Sequence, residues 1–438
     1  MGWRSRQVGT VAASMDEAVG ERPRATEDAG IGTLLAGNGV RGVGMLLVFF
    51  THLFLLADPE PYNNLSSYGW AAPALGHLDL GLAAFFALSG YLIARPYARA
   101  YVLGTPSPRL RSYVRNRVLR VAPAFYLFTV LILLRFGLDG TLEPDSPFGS
   151  SNAGQVLGQF LLIQGQTGGV AVAPIGPAWS IGAEVGFYVL IPIAAWIAMR
   201  FAPRIPTPQR RALLAIAAAG AVMLVSIALR NVDKYAFQWL TSPPAIMFVF
   251  MPGVAIALVE PLFAARMRER PREARTIAWA AFAFAALTAV LYTVTDYDSR
   301  QTPIHHALGQ RALLAVLCTG ALILGLLVLQ LGTGRAPRLF AARLMQWMGE
   351  RSYSFYLVHI WVLLEIDHVL GSGESIATRA AIMLAVALPL TTAIATLSYR
   401  YVERPFLERK RKVVAGGEGP GGSGLPPDAH SVAASARV

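Results

Sequence analysis

The chain has 438 residues, 54% of them hydrophobic and 15% charged, with a mean hydropathy of +0.47. Soluble proteins carry about 25% charged residues, so a string of soluble domains is excluded and the chain reads as a polytopic membrane protein. Its 38 basic and 26 acidic residues give a net charge of +12, and the placement of the positive residues decides whether that excess means nucleic-acid binding or membrane topology.

Taken in chain order, residues 1–36 mix charged and small side chains without the apolar region and cleavage site of a signal peptide, and they are expected to form a disordered cytoplasmic tail. A spanning helix needs about 20 mostly apolar residues. Candidates fall at 39–57, 80–95, 118–137, 179–199, 212–229, 244–263, 277–295, 311–331, 352–369 and 378–400, which predicts an all-α fold of about ten transmembrane helices. An apolar piece at 153–163 is too short to span and leads into QGQTGGVAVAPIGP. It is read as re-entrant or interfacial, because irregular backbone at membrane depth is tolerated only against protein or a wet cavity. Residues 407–438 are first basic and then rich in Gly, Pro, Ser and Ala, a second disordered tail. The membrane domain is therefore placed at 37–406. Cys318, the only cysteine, sits in an apolar run and reads as a small buried residue.

Charge tests the count. With the N-terminus inside, the loops predicted to be cytoplasmic carry Arg95 to Arg120, Arg200 to Arg211, Arg266 to Arg275 and Arg335 to Arg343, and the C-terminal segment adds Arg404 and Arg409–Lys412. The opposite loops hold only Arg230, Lys234 and Arg300 beside Asp58, Glu60, Asp79, Asp139, Glu143, Asp145, Asp296 and Asp298. Short cytoplasmic loops collect the basic residues, so both termini are placed in the cytoplasm and the excess charge reports topology; no nucleic-acid partner is expected. The short segment 153–163 cannot be a full span without moving the next arginine-rich loop to the wrong side.

Ionisable residues inside spans are functional candidates. Arg41 and His52 are eleven residues apart in the first span, which returns to within about 20° of the same helix face with a rise of roughly 16 Å. Glu184, in PAWSIGAEVGFYVLIP, lies as deep from the outer end of its span as His52 does from its own. Such a carboxylate would orient the imidazole of a general base; equally, Glu184 fits a buried carboxylate satisfied by Ser180 or a backbone donor. In RLRSYVRNRVLRVAP, Arg115, Arg117 and Arg120 suit phosphate binding through forked hydrogen bonds, and they equally suit a positive-inside anchor. Glu403, in YRYVERPF, is level with Arg41 and suits a structural pair with it. His359, inside the ninth span, is read as a hydrogen-bonding link between helices. His77 with Asp79, His305 with His306, and Glu365, Asp367 and His368 lie on outer loops or span ends without metal-site spacing, so no metal is expected.

In order along the chain, RGVGMLLVFFTHL, FFALSGYLI, YVRNRVLRVAPAFY, PAWSIGAEVGFYVLIP, GERSYSFYLVHIWV and YRYVERPF resemble the acyltransferase-3 family of integral membrane acyltransferases. The resemblance covers nearly the whole membrane region and implies a ten-helix domain that moves acyl groups, often acetyl, from cytoplasmic acyl-CoA to a hydroxyl of a carbohydrate, glycolipid or glycosylated metabolite. By position it implies His52 as the essential histidine, Arg41 as its partner, Arg115 and Arg117 as the Arg-x-Arg element near the donor, and Glu403 as the acidic residue before proline. The chain departs from the family at Glu184-Val185-Gly186-Phe187-Tyr188, where many members have Glu-Glu-Gln-Phe-Tyr, so the second carboxylate and the amide carry no role here. An extra soluble domain of the kind fused to some relatives is not expected after 406, which weighs mildly against a peptidoglycan-modifying architecture.

The expected catalytic set is thus His52, Arg41 and Glu184, with Arg115, Arg117, Arg120 and Glu403 around the substrate. Acyl-CoA, acetyl-CoA first, enters as co-substrate, no cofactor is bound, and the other partners are membrane lipids and a hydroxyl-bearing acceptor. A transporter or exporter of a lipid-linked glycan or metabolite, with Arg41, His52 and Glu184 lining its path, is the competing reading. A non-catalytic sensor fits intact Arg41 and His52 less well. Arginine far exceeds lysine and alanine is abundant, which points to a bacterial cell membrane.

Overall fold

The computed structural model describes residues 34–58, 68–69, 71–138, 153–163, 178–230, 232, 237–294, 311–371 and 373–408. Most of both expected tails, the Gly/Pro run 164–177, His305 with His306 and Arg409–Lys412 lie outside them. The described residues are helical and contain no strand, as hydrocarbon demands of a chain that must satisfy its backbone within each segment.

The principal helices are α1 (Gly37–Ala57), α2 (Leu80–Leu103), α3 (Leu110–Leu138), α4 (Ala153–Phe160), α5 (Trp179–Phe201), α6 (Pro208–Arg230), α7 (Met251–Glu269), α8 (Pro271–Val294), α9 (Ala312–Thr333), α10 (Arg343–Leu370) and α11 (Ile376–Ser398), the last continued by a π-helical turn, Tyr399–Glu403. Among the described residues nine of these are long and apolar enough to span, and the pair Pro243–Val249 and Met251–Glu269, bent by 51°, passes the same test only when its two helices are taken together, making ten if it is one span. All ten correspond to the apolar runs of the sequence. α3 and α10 begin earlier than their runs, at Leu110 and Arg343, because a helix continues past the lipid boundary where hydropathy falls. α4 has 8 residues, too few to cross.

α2 stands at the centre, packed on α1, α5, α7 and α9, while α10 packs on both α1 and α11. The share of each apolar window buried inside the protein follows this order, from 61% in α2 to 17% in α6. Peripheral α6 turns Leu213, Leu214, Leu224 and Val225 outward, the apolar face a lipid-facing helix presents.

With lipid as solvent, helices associate through close packing of small residues and polar contacts. A Cβ at Gly90 would strike the backbone of Phe250, and one at Gly253 the backbone of α2 at Ala87. The bent crossing therefore nests against α2 only because both positions are glycine. α1 and α10 meet in the same way, Gly349 lying on the backbone of Asn38. At the other end of α1, Arg379 of α11 donates to the carbonyls of Ala57 (3.2 Å) and Leu56 (3.3 Å) and pairs with Asp367 of α10, so the last carbonyls of α1 are satisfied by a side chain.

Candidate active site

A cavity of about 640 Å³ opens at one end of the bundle, where Leu34, Leu35, Gln346 and Leu407 form its mouth. Both described ends of the chain therefore border the same cavity. The cavity reaches inward to Ser180 and Tyr356, whose hydroxyls are 2.6 Å apart. Ten residues of α10 separate Gln346 from Tyr356, a depth of roughly 15 Å.

Arg41, Arg117 and Arg120 line this chamber with a single carboxylate, Glu184. Arg41 has no carboxylate within ion-pair distance among the described residues. Arg117 lies over the rings of Tyr188 (5.3 Å) and Tyr113 (5.5 Å), and its buried Nε has no hydrogen-bond partner among the described residues. The flat guanidinium is held by aromatic faces while its donors stay unspent. Arg120 pairs with Glu403 at 3.2 Å. The lining therefore carries more positive charge than it neutralises, and an orphaned guanidinium donor suits an anion with several acceptor oxygens. On the other side of Val121 and Tyr188 an apolar groove of about 820 Å³ opens between α3 and α5.

Other expected residues are arranged differently. Arg115 does not line the chamber; one side of α3 cannot present residues two positions apart equally, and Arg117 and Arg120, three apart, share the inward face. Glu403 pairs with Arg120 and accepts from Ser354 at 2.6 Å, in place of the pair with Arg41 that its depth suggested. Glu184 accepts from Ser89 of α2 at 2.6 Å, so neither His52 nor Ser180 is its partner. Counting from the outer end of each span put His52 and Glu184 at one depth, but Glu184 lies in the chamber one turn of α5 from Ser180 towards Tyr188 and Arg117, whereas His52 lies beyond the inner end against His359.

His52 is half-buried, one helix face up from Arg41. Its Nδ1 lies 2.9 Å from the carbonyl of Val48 and 3.3 Å from Nε2 of His359. The two rings are 5.0 Å apart at 64°. His359 is 1% exposed and follows Tyr356 by one turn of α10, so the histidine pair begins where the chamber ends. The expected helix-to-helix hydrogen bond of His359 is made, and its partner is the essential-histidine candidate. The available signal was that His52 and His359 are the histidines deep inside apolar spans, among seven in the chain.

Among the described residues no three His, Cys, Asp or Glu side chains form a group that could hold a metal ion. Glu365 and Asp367 are engaged by Arg135 and Arg379.

A helical bundle with nine spanning helices among the described residues, and a cationic chamber leading to an intramembrane histidine, defines a multi-pass membrane protein with an enzyme-like interior. The profile of the acyltransferase-3 family, described as an acyltransferase domain, matches residues 36–400, and the chain belongs to this family. The peptidoglycan O-acetyltransferase OatA of Listeria monocytogenes is 22% identical over 380 residues, covering 84% of this chain and 55% of that protein. YrhL of Bacillus subtilis, whose name assigns it provisionally to the same activity, is 24% identical over 387 residues, covering 84% and 54%. The chain thus spans about half the length of the curated relatives it matches. No solved structure matches it.

Proposed function

We propose that this protein is an O-acyltransferase that takes an acyl group, acetyl first among the candidates, from acyl-CoA at the cytoplasmic face and transfers it to a hydroxyl of a carbohydrate. The observation that carries this reading is the chamber: three arginines near a mouth shared by both chain ends, with the histidine pair one turn beyond its inner end. The concentration of arginine in the loops on that side supports a cytoplasmic mouth, with both termini on the same side.

Arg41, Arg117 and Arg120 bind the phosphates of the donor, Arg117 through its unspent donors and Arg120 as aimed by Glu403. The roughly 15 Å from mouth to Tyr356 and the roughly 16 Å from Arg41 to His52 suit a long thioester-bearing arm. His52 removes the proton of the acceptor hydroxyl; the oxygen attacks the acyl carbonyl, the carbon–sulfur bond breaks, and the proton passes to the departing thiolate. In the alternative order, Nε2 of His52 attacks the acyl carbonyl and the carbon–sulfur bond breaks to release the thiolate; the hydroxyl oxygen then attacks the acyl carbon, the carbon–nitrogen bond breaks to free His52, and the hydroxyl proton passes to the thiolate. Glu184, held by Ser89, balances charge among the arginines and does not support the imidazole. The names of the relatives put peptidoglycan sugars among the acceptors to test, beside glycolipids and glycosylated metabolites.

Purified protein with labelled acetyl-CoA and a panel of these acceptors provides the test. The wild type transfers label, and His52→Ala and Arg117→Ala lose most of the transfer. Full activity of His52→Ala would overturn the mechanism, and substrate flux across vesicles without consumption of acetyl-CoA would favour a transporter.

A further inference from the structure

The tautomer of His52 can be worked out from its neighbours. Nδ1 of His359 lies 2.7 Å from the carbonyl of Tyr356 in its own helix. A carbonyl oxygen only accepts, so in the neutral ring this nitrogen carries the proton and Nε2 presents a bare lone pair. That lone pair is 3.3 Å from Nδ1 of His52. Nδ1 of His52 also lies 2.9 Å from the carbonyl of Val48, so it too carries the proton and shares it between two acceptors. Nε2 of His52 is then left unprotonated, as either a general base or a nucleophile requires.

Packing holds this arrangement. His359 is 1% exposed and stacks on Phe355 at 10° between ring planes. Phe355 in turn contacts Phe49 of α1 edge-on, with ring centroids 5.7 Å apart. The carboxylate expected from the sequence, Glu184, is bound to Ser89, and no acidic side chain bonds either ring among the described residues.

We propose that His359 is a positioning residue for acyl transfer. Its Nε2 fixes His52 in the tautomer with a basic Nε2, and accepts the Nδ1 proton of His52 more strongly when His52 becomes charged. A neutral imidazole thus takes the place that a carboxylate has in a hydrolase triad, without a buried anion to desolvate. This inference rests on the reading of His52 as the reacting histidine.

The test compares wild type, His52→Ala, His359→Phe, His359→Leu and His359→Gln as full chains in detergent, with acetyl-CoA and the acceptor that the wild type labels. Size-exclusion elution and thermal unfolding select the folded variants. His359→Phe and His359→Leu fill the site without a hydrogen-bond acceptor and should lower kcat about 100-fold while leaving both KM values within about twofold. His359→Gln returns an acceptor oxygen to the position and should recover at least about tenfold of that loss. Wild-type kcat in either folded apolar variant overturns the proposal, as does a glutamine variant no better than they are, because packing alone then accounts for the residue. An inactive His52→Ala beside a fully active His359→Phe removes only the role of His359, whereas an active His52→Ala removes the reading on which it rests.

Discussion

Oε2 of Glu403 lies 3.2 Å from Nη1 of Arg120, joining the π-helical turn after α11 to α3. The carboxylate is 2% exposed, and its other oxygen accepts from Ser354, which is also bonded to Ser398. Glu403 is thus fixed from α10, and it fixes Arg120 against the chamber. Glu403→Gln keeps the shape and removes the charge. It should raise KM for acetyl-CoA about tenfold, equivalent to about 1.4 kcal/mol, with a smaller effect on kcat, as measured by steady-state kinetics.

Arg117 differs from Arg120 in having aromatic faces rather than a carboxylate against it. Arg117→Lys keeps the charge but loses the flat, forked group that lies over Tyr113 and Tyr188. Donor affinity, read by isothermal calorimetry or KM, should fall about tenfold in Arg117→Lys and further in Arg117→Ala, each charge-assisted hydrogen bond being worth about 1.5–3 kcal/mol. Equal affinity in the lysine variant would show that charge alone matters there.

Glu260 tests stability apart from catalysis. It is fully buried between α7 and α2, bonded by both Nε and Nη2 of Arg95 at 2.7 Å and by Tyr91 at 3.0 Å. Removing one member of such a pair strands the other charge, at a cost of about 3 kcal/mol or more. Glu260→Leu should lower the apparent Tm in detergent by several degrees. The double variant Glu260→Leu, Arg95→Met should recover part of the loss, since apolar replacement of both partners is often neutral.

Asp79, at the end of the loop before α2, accepts from the Tyr292 hydroxyl at 3.0 Å. Burial outweighs that bond and the nearby Arg311 and pushes its pKa up to about 7 from the ordinary carboxylate value. A carboxyl with a raised folded-state pKa contributes its stability at low pH and loses it as pH climbs from about 4 to about 7. Asp79→Asn should therefore gain Tm relative to wild type at pH 8 and lose that advantage at pH 4. A difference independent of pH would contradict this assignment.

A side chain at Gly349 would have to occupy the backbone position of Asn38. Gly349→Leu should cost at least about 3 kcal/mol, the upper range for overpacking, and abolish a monodisperse folded fraction. Gly373, which has open space around it, should accept alanine without change in elution or Tm.

Nine spans were legible because each contains enough apolar residues to cross, and the bent pair appeared as a single run from 244 to 263. The overhanging first turns of α3 and α10 were not, since hydropathy marks the lipid-embedded part of a helix rather than its start. Arg41, Arg117, Arg120 and Glu184 were all singled out and line one chamber. Their partners were less accessible: Ser89 stands 95 positions from Glu184 and His359 stands 307 from His52. Depth can be counted along one helix, but which faces of two helices meet depends on packing by residues such as Gly349, far from the polar groups themselves. Arg115 shows the same limit, as the Arg-x-Arg pattern does not say which arginine points inward.

α1 and α10 are fastened at both extremities, by Gly349 on Asn38 at one end and by the Arg379 cluster at the other. Between these fastenings the two helices behave like the jaws of a locked caliper, and the gap between the imidazoles is the setting. The separation of the rings is thereby inherited from contacts about 15 Å away along α10. A change at either fastening should therefore alter the spacing of the two rings without touching the lining of the chamber.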